Sequence, residues 1–343
     1  MNKRVSKTMS RVFQTRDTFK PFIYPWAYQS WLKHEQVHWL AREVPLHEDV
    51  RDWNNKLTLE DQAFLRDVFL FFTQSDVDVL GGYINDYFPY FKQPELRMML
   101  AGFASRECVH IDAYSYLIET LGMEDSFYKE FLNVPAMRQK HEFFENVVSS
   151  CRKGKTREQL LTTITGISAG TEGLFLFSSF VMLLNYPKNN LMKGMGQIVS
   201  WSVLDEQMHV AGLTKIANTI VEENRGWKSR ESDAEIRATI ELMVEFEFDF
   251  IDTVYKKKLE MRGLLKEDLK QYIRWTADKR LRDLGVTPLY GVTEDPLPWV
   301  AEMIGSQSHA NFFEARETSY AKASLTGSWG DVWGAFKRAL PKG

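Results

Sequence analysis

Cysteine is nearly missing from this chain. Cys108 and Cys151 are the only two in 343 residues, too few for a disulfide framework and in keeping with a reducing compartment. An excess of one charge is missing as well. The 43 Lys and Arg stand against 46 Asp and Glu, a net charge of −3, so there is no basic footprint for nucleic acid and none is expected as a partner. Long apolar runs are also absent: the longest, Leu174 to Leu184, falls well short of the ~20 residues a membrane span needs. A soluble protein with no membrane partner is expected. No stretch reads as a strand, and no region is of low complexity. The first twenty residues carry Lys3, Arg4, Lys7, Arg11, Arg16 and Lys20 against only Asp17, but no apolar core or cleavage site of a presequence. They read as a disordered basic tail, and the expected location is the cytoplasm.

What is present is helical periodicity carrying acids where acids are costly. Glu107-x-x-His110 and Glu206-x-x-His209 each put a carboxylate and an imidazole on one helix face, one turn apart. Asp76 lies 31 residues before the first pair and Glu172 lies 34 before the second, both embedded in apolar sequence. A buried carboxylate without a partner costs several kcal/mol, so each demands a cation or a proton. The separations suit two antiparallel helix hairpins that bring acid and Glu-x-x-His to one height. Carboxylate, Glu-x-x-His, carboxylate, Glu-x-x-His is the ligand order of dinuclear carboxylate bundles. The expected fold is therefore all-α, a ferritin-like helical bundle with a dinuclear metal-carboxylate site. Four carboxylates and two imidazoles suit two divalent ions, iron first, with manganese or a mixed pair accepting the same donors.

Along the chain, helices are expected at about Tyr28–Ala41, from Thr58 through Val79 with a Thr58/Asp61 capping box, and at Glu95–Leu121. A connector helix from about Ser126 and another near Val134–Ser150 should follow, then Thr156–Leu184, Asn190–Glu223, Ser232–Arg262 and Leu265–Leu284. Cys108 reads as a packed thiol, and Asp78, two residues from Asp76, should face away from the site. The first helix holds His34-Glu35-Gln36-Val37-His38, a formal match to the zinc-protease signature. No Gly-x-x-His extension follows it, Glu60 or Asp61 would have to serve as a distant third ligand, and the plainer reading is a solvated helix face.

Taken together, Asp76, Glu107-x-x-His110 with Tyr114 four residues on, Glu172, and Asp205-Glu206-x-x-His209 resemble the small, radical-generating subunit of class I ribonucleotide reductase, from about Phe22 to about Lys322. The resemblance implies a metal centre that takes one electron and a proton from Tyr114, and a hole passed to a separate large catalytic subunit that reduces ribonucleotides. It also implies a homodimer and roles in transfer for Asp205 and Trp39, with Asp205 placed to accept the free N–H of His110. Leu176 and Phe180, at i+4 and i+8 from Glu172, could wall off the radical. A stand-alone di-iron oxidase or oxygenase would share the same ligands. One domain is expected over residues 21–322, with a C-terminal tail over 323–343 that binds the large subunit. That tail departs from its family: no tyrosine follows Tyr320, its aromatics are Trp329, Trp333 and Phe336, and its end is basic.

Overall fold

Helix starts are set by proline and by acids reaching across from other elements. The computed structural model describes residues 10–152 and 167–305. In chain order its helices are α1 (Pro25–Gln36), α2 (His47–Asn55), α3 (Leu59–Phe72), α4 (Ser75–Gly82), α5 (Pro94–Thr120), α6 (Pro135–Arg152), α7 (Phe177–Lys188), α8 (Lys193–Glu223), α9 (Arg230–Tyr255) and α10 (Lys266–Asp283). Wide π turns occupy Tyr83–Tyr87 and Ile167–Phe175. The fold is an all-α, ferritin-like bundle. α1 and α5 begin with proline, which needs no backbone partner at that position. Glu95 then accepts from the N–H groups of Ile23 and Tyr24 at 2.8 and 2.9 Å, tying the start of α1 to α5. The Thr58/Asp61 capping box opens α3. α2, which the periodicity did not reveal, caps α8: Asp49 accepts from Gly194 and Met195 N–H at 2.9 and 2.7 Å.

These devices stack the helices that matter. α5 packs on α1, α4 and α8, while α8 also packs on α7 and the second π turn. α5 and α8 cross closely, since a Cβ on Gly212 would lie 2.8 Å from the Phe103 ring. The interior between them is apolar and aromatic, with Phe69, Phe103 and Phe180 buried.

Several expectations need correction. α1 stops at Gln36 rather than Ala41, because the chain leaves the helix at Val37 and turns Trp39 inward. The helix expected from Thr58 to Val79 is two helices, broken at Thr73 and Gln74, where the Thr73 hydroxyl donates to Leu70 O at 2.8 Å. The connector from Ser126 is a pair of 3-10 turns, and α9 ends at Tyr255 instead of Arg262. An antiparallel pair, β1 (Glu260–Met261) and β2 (Leu264–Leu265), follows where no strand was expected. It is pinned from outside, by a forked Arg262–Asp61 contact at 2.7 and 2.6 Å that no local pattern announces. Cys108 is exposed on α5, not packed. Residues from Ser10 on, expected in a disordered tail, lie against the bundle: Val12 is buried and Arg16 pairs with Glu95 at 2.7 Å. Tyr320, Trp329, Trp333 and Phe336 lie outside the described residues, as do residues 153–166, which hold the start of the helix expected at Thr156–Leu184.

Candidate metal centre

Four elements deliver four acids to one point in the core. Asp76 stands in the first turn of α4, where the restarted helix favours a carboxylate; Glu107 and His110 come from α5, Glu172 from the second π turn, and Glu206 and His209 from α8. All six side chains are buried, none more than 2% exposed. Ligand atoms of Glu107, Glu172, Glu206 and His209 lie within 4.8 Å of one another.

The two imidazoles divide the site. His110 Nδ1 lies 3.4 Å from Glu107 Oε2 and 3.2 Å from Glu206 Oε1. His209 Nδ1 lies 3.0 Å from Glu107 Oε1, 3.5 Å from Glu206 Oε2 and 3.5 Å from Glu172 Oε1. Glu107 and Glu206 thus each turn one oxygen to each histidine, whereas Glu172 serves the His209 side. Asp76 stands toward His110: burial raises its pKa well above the usual carboxylate range, the His110 charge opposes that, and Glu107 and Glu206 add to it.

These groups aim at shared points rather than at each other. Both Glu107 oxygens, Asp76 Oδ2, Glu172 Oε2, Glu206 Oε2 and His209 Nδ1 are buried without a hydrogen bond of proper geometry, although several are only 3.0–3.5 Å apart. So many orphaned donor atoms would cost several kcal/mol apiece if nothing cationic sat among them. With protons as the available cations, burial lowers both imidazoles but the carboxylates override it and hold both well above their usual value. Burial likewise raises Glu172, to about 7. Against burial, His110 and His209 hold Glu107 down at about 2. The protons occupy the electron pairs that a metal would take.

A family model for the ribonucleotide reductase small chain matches residues 16–296. The chain belongs to this family. It is 43% identical over 332 residues to a probable ribonucleoside-diphosphate reductase small subunit of Invertebrate iridescent virus 3, covering 93% of this chain and 88% of that relative. A ribonucleoside-diphosphate reductase subunit beta of Chlamydia pneumoniae is 29% identical over 314 residues, with 88% and 89% of the two chains covered. Among solved structures, the ribonucleotide reductase R2 subunit from Clostridium botulinum superposes with a TM-score of 0.79 at 20% identity, over 89% of this chain and 98% of that one. The dimanganese(II) NrdF of Streptococcus sanguinis gives 0.71 at 20% identity, over 85% and 100%. These two likenesses establish the fold.

Within this small-chain fold, Tyr114 lies one turn beyond His110, buried, its ring stacked on Phe72 at 4.2 Å between centroids. Phe180 packs on Phe72 in turn, and Leu176 is buried nearby in chain. Burial, then the Asp76 charge, pushes the Tyr114 phenol far up, while the Ser202 hydroxyl beside it pulls the other way. On the opposite flank, the Trp39 indole donates to Asp205 Oδ2 at 2.8 Å, and that oxygen lies 3.1 Å from His110 Nε2. Asp78 faces elsewhere, 2.6 Å from His141 Nδ1.

Four neighbours escaped the sequence reading. Tyr83, in the first π turn, donates to Glu172 Oε1 at 2.5 Å; its place seven residues after Asp76, two helical turns on, was the available signal. Arg106 stands 3.4 Å from Asp205 Oδ2, and Ser202 precedes Glu206 by one turn. His34 belongs to the zinc-like motif, yet the motif is split: His34 Nε2 is 3.2 Å from His209 Nε2, whereas His38 Nδ1 is 3.1 Å from Arg106 Nη1. Asp61, the distant third ligand that motif would need, is committed to Arg262.

Proposed function

We propose that the chain is the radical-generating small subunit of a class I ribonucleotide reductase, with Asp76, Glu107, His110, Glu172, Glu206 and His209 holding two metal ions. One observation carries this reading: Glu107 and Glu206 each present one oxygen to each imidazole, so either carboxylate could serve both of two ions. Asp76 with His110, and Glu172 with His209, would complete the two positions. Four carboxylates balance two divalent charges, and the absence of thiolates suits iron, or manganese alone or with it. When bound, such a pair supplies a strong one-electron oxidant from oxygen.

The chain's own residues do the rest. Burial keeps the Tyr114 phenol protonated, so its one-electron oxidation to a neutral radical would also release the phenolic proton. The apolar shell of Phe72 and Phe180 keeps water from the resulting radical. Trp39, Asp205 and His110 form an unbroken polar line from the end of α1 to the acids, a route by which the hole can leave. A stand-alone oxidase would share the metal set but has no use for that line. The same reading makes the large catalytic subunit a partner, reached through the segment after about Lys322 with Trp329 and Trp333 as anchors, and makes the small subunit a homodimer.

Metal analysis of protein purified with its native metals should give two equivalents per chain, and electron paramagnetic resonance should show a tyrosyl signal. Tyr114→Phe should keep both metals and the fold, yet lose that signal and all nucleotide reduction with the large subunit. Full turnover by this variant would mean that the oxidant is stored on the metals.

A further inference from the structure

The two ligand histidines are backed by chemically different groups. His110 turns its outer nitrogen, Nε2, to the Asp205 carboxylate at 3.1 Å. His209 turns the same nitrogen to another histidine, His34, at 3.2 Å between the two Nε2 atoms. His34 is 1% exposed and comes from α1, a helix that supplies no ligand.

Proton positions follow from the chemistry. His209 offers Nδ1 to the three carboxylates, and a nitrogen that binds a metal carries no proton, so the proton of His209 sits on Nε2. With its Nδ1 given to the acids, the His209 Nε2–H faces His34 Nε2 at 3.2 Å, closer than Asp205 Oδ1 stands to that nitrogen at 3.6 Å, so His34 Nε2 accepts the proton. The proton of His34 is then on Nδ1, which is buried without a partner and faces Gly102. A Cβ on Gly102 would lie 3.4 Å from that nitrogen and 3.2 Å from Trp31 Cδ1, so glycine there lets α1 come close enough for the contact. With Nδ1 protonated and Nε2 accepting, His34 is the neutral form of imidazole.

We propose that His34 is a positioning residue for His209: it accepts the Nε2 proton, fixes the ring with Nδ1 toward the acids, and, as an uncharged acceptor, makes the position beside His209 the weaker of two metal sites. A hydrogen bond to a carboxylate is roughly twice as strong as a neutral one, so His110, backed by Asp205, is the more basic ligand. Tyr83 works in the same direction, since its hydroxyl draws charge from Glu172 on the His209 side. The difference between the two positions therefore lies in how the carboxylate reaches them: Asp205 backs His110 directly, but its other oxygen, 3.6 Å from His34 Nε2, stands behind His209 only through the neutral His34.

This inference rests on the dinuclear reading above, and a manganese(II) titration separates the two. Wild-type protein should take one equivalent tightly, seen as an isolated manganese spectrum, and a second more weakly, seen as a coupled pair. His34→Leu, which keeps the bulk but cannot accept, should weaken the second equivalent by about 10- to 100-fold and leave the first unchanged. His34→Gln, whose amide oxygen can accept, should stay within about threefold of wild type on the same scale. Equal losses in both equivalents, no loss in His34→Leu, or equal losses in Leu and Gln would overturn the proposal. Fewer than two equivalents in wild type would overturn the dinuclear reading itself, and this inference with it. Should His34→Leu fail to fold, a crystal structure of manganese-loaded wild-type protein decides the matter. Direct contact between His209 Nε2 and His34 Nε2 supports it, and any other acceptor on His209 refutes it.

Discussion

Among the described residues, two of the buried charge clusters solve the same problem in opposite ways. In one, Lys140 from α6 meets Glu247 from α9 with both side chains almost fully buried. The Lys140 ammonium also donates to Phe175 O at 3.0 Å and sits over the Phe71 and Phe250 rings at 4.2 and 4.4 Å. Burial lowers the lysine pKa and raises that of the glutamate, but each offsets the other's shift. That cluster brings its own cation and is finished by folding. The other gathers Asp76, Glu107, Glu172 and Glu206, and among the described residues no lysine or arginine pairs with any of them. Arg106, the residue before Glu107, is spent on Asp205. A buried acid is thus a functional signal only where the chain declines to neutralise it.

Removing one charge from each cluster should give opposite results, and this is the largest effect expected. Lys140→Met strands Glu247 in the core and should cost about 3–5 kcal/mol of stability in urea unfolding. Adding Glu247→Leu should recover most of that loss, because a packed apolar pair is about as stable as a buried ion pair. At the other cluster, Glu172→Gln removes a charge, keeps the shape and leaves Tyr83 an acceptor. Cation-free protein should then be no less stable than wild type, while metal occupancy falls below two per chain. Equal destabilisation by the two single variants would erase the distinction between the clusters.

The asymmetry also explains what could be read from sequence. Acids at Glu107 and Glu206, each three residues before a histidine, and acids at Asp76 and Glu172 one hairpin earlier, are legible because helical spacing fixes which side chains share a face. Nothing comparable marks the backbone around them. The π turn Ile167–Phe175 occurs where regular helix was expected, the π turn Tyr83–Tyr87 lies past the expected helix end at Val79, and the two carry the residues that bond to each other, Tyr83 and Glu172. Such bulges arise where a local requirement overrides the helix ladder, and they are frequent at functional sites. His34 was hidden by a better-known pattern. Its true partner, His209, is 175 residues away, and only the crossing of α1 over α5 and α8 brings the two together.

A smaller effect should come from the phenol that reaches into the acids. Tyr83→Phe removes the donor to Glu172 Oε1 but keeps the ring, which lies edge-on to His209 at 6.0 Å. Loss of a hydrogen bond to a charged acceptor corresponds to about 1.5–3 kcal/mol. In the metal-loaded protein Glu172 is then free to give more charge to the ion, so the second equivalent should bind more tightly in the variant. Cation-free protein should lose stability instead, because the buried carboxyl is left with one partner fewer. A weaker second equivalent would show that Tyr83 orients Glu172 rather than drawing charge from it.

The smallest effect lies far from the acids, at an ion pair whose behaviour with pH gives the ordinary case for comparison. Asp61 accepts from Thr58 N–H and from the Arg262 fork, and although burial works the other way, these partners hold its carboxyl below the usual value. A carboxyl that is more acidic in the folded than in the unfolded chain binds fewer protons when folded, so it stabilises the fold at neutral pH. That contribution is complete above the unfolded value and is lost as pH falls through the depressed folded one, hence below about pH 4. Arg262→Ala should remove about 1 kcal/mol at pH 7, given that the arginine is partly exposed and screened. The gap between variant and wild type should then close as acid protonates Asp61, because both chains end with the same neutral, unpaired carboxyl. Urea unfolding at pH 7 and at pH 3 measures both ends of that curve, and a gap that stays constant would place the role of Arg262 in packing the hairpin instead of in charge.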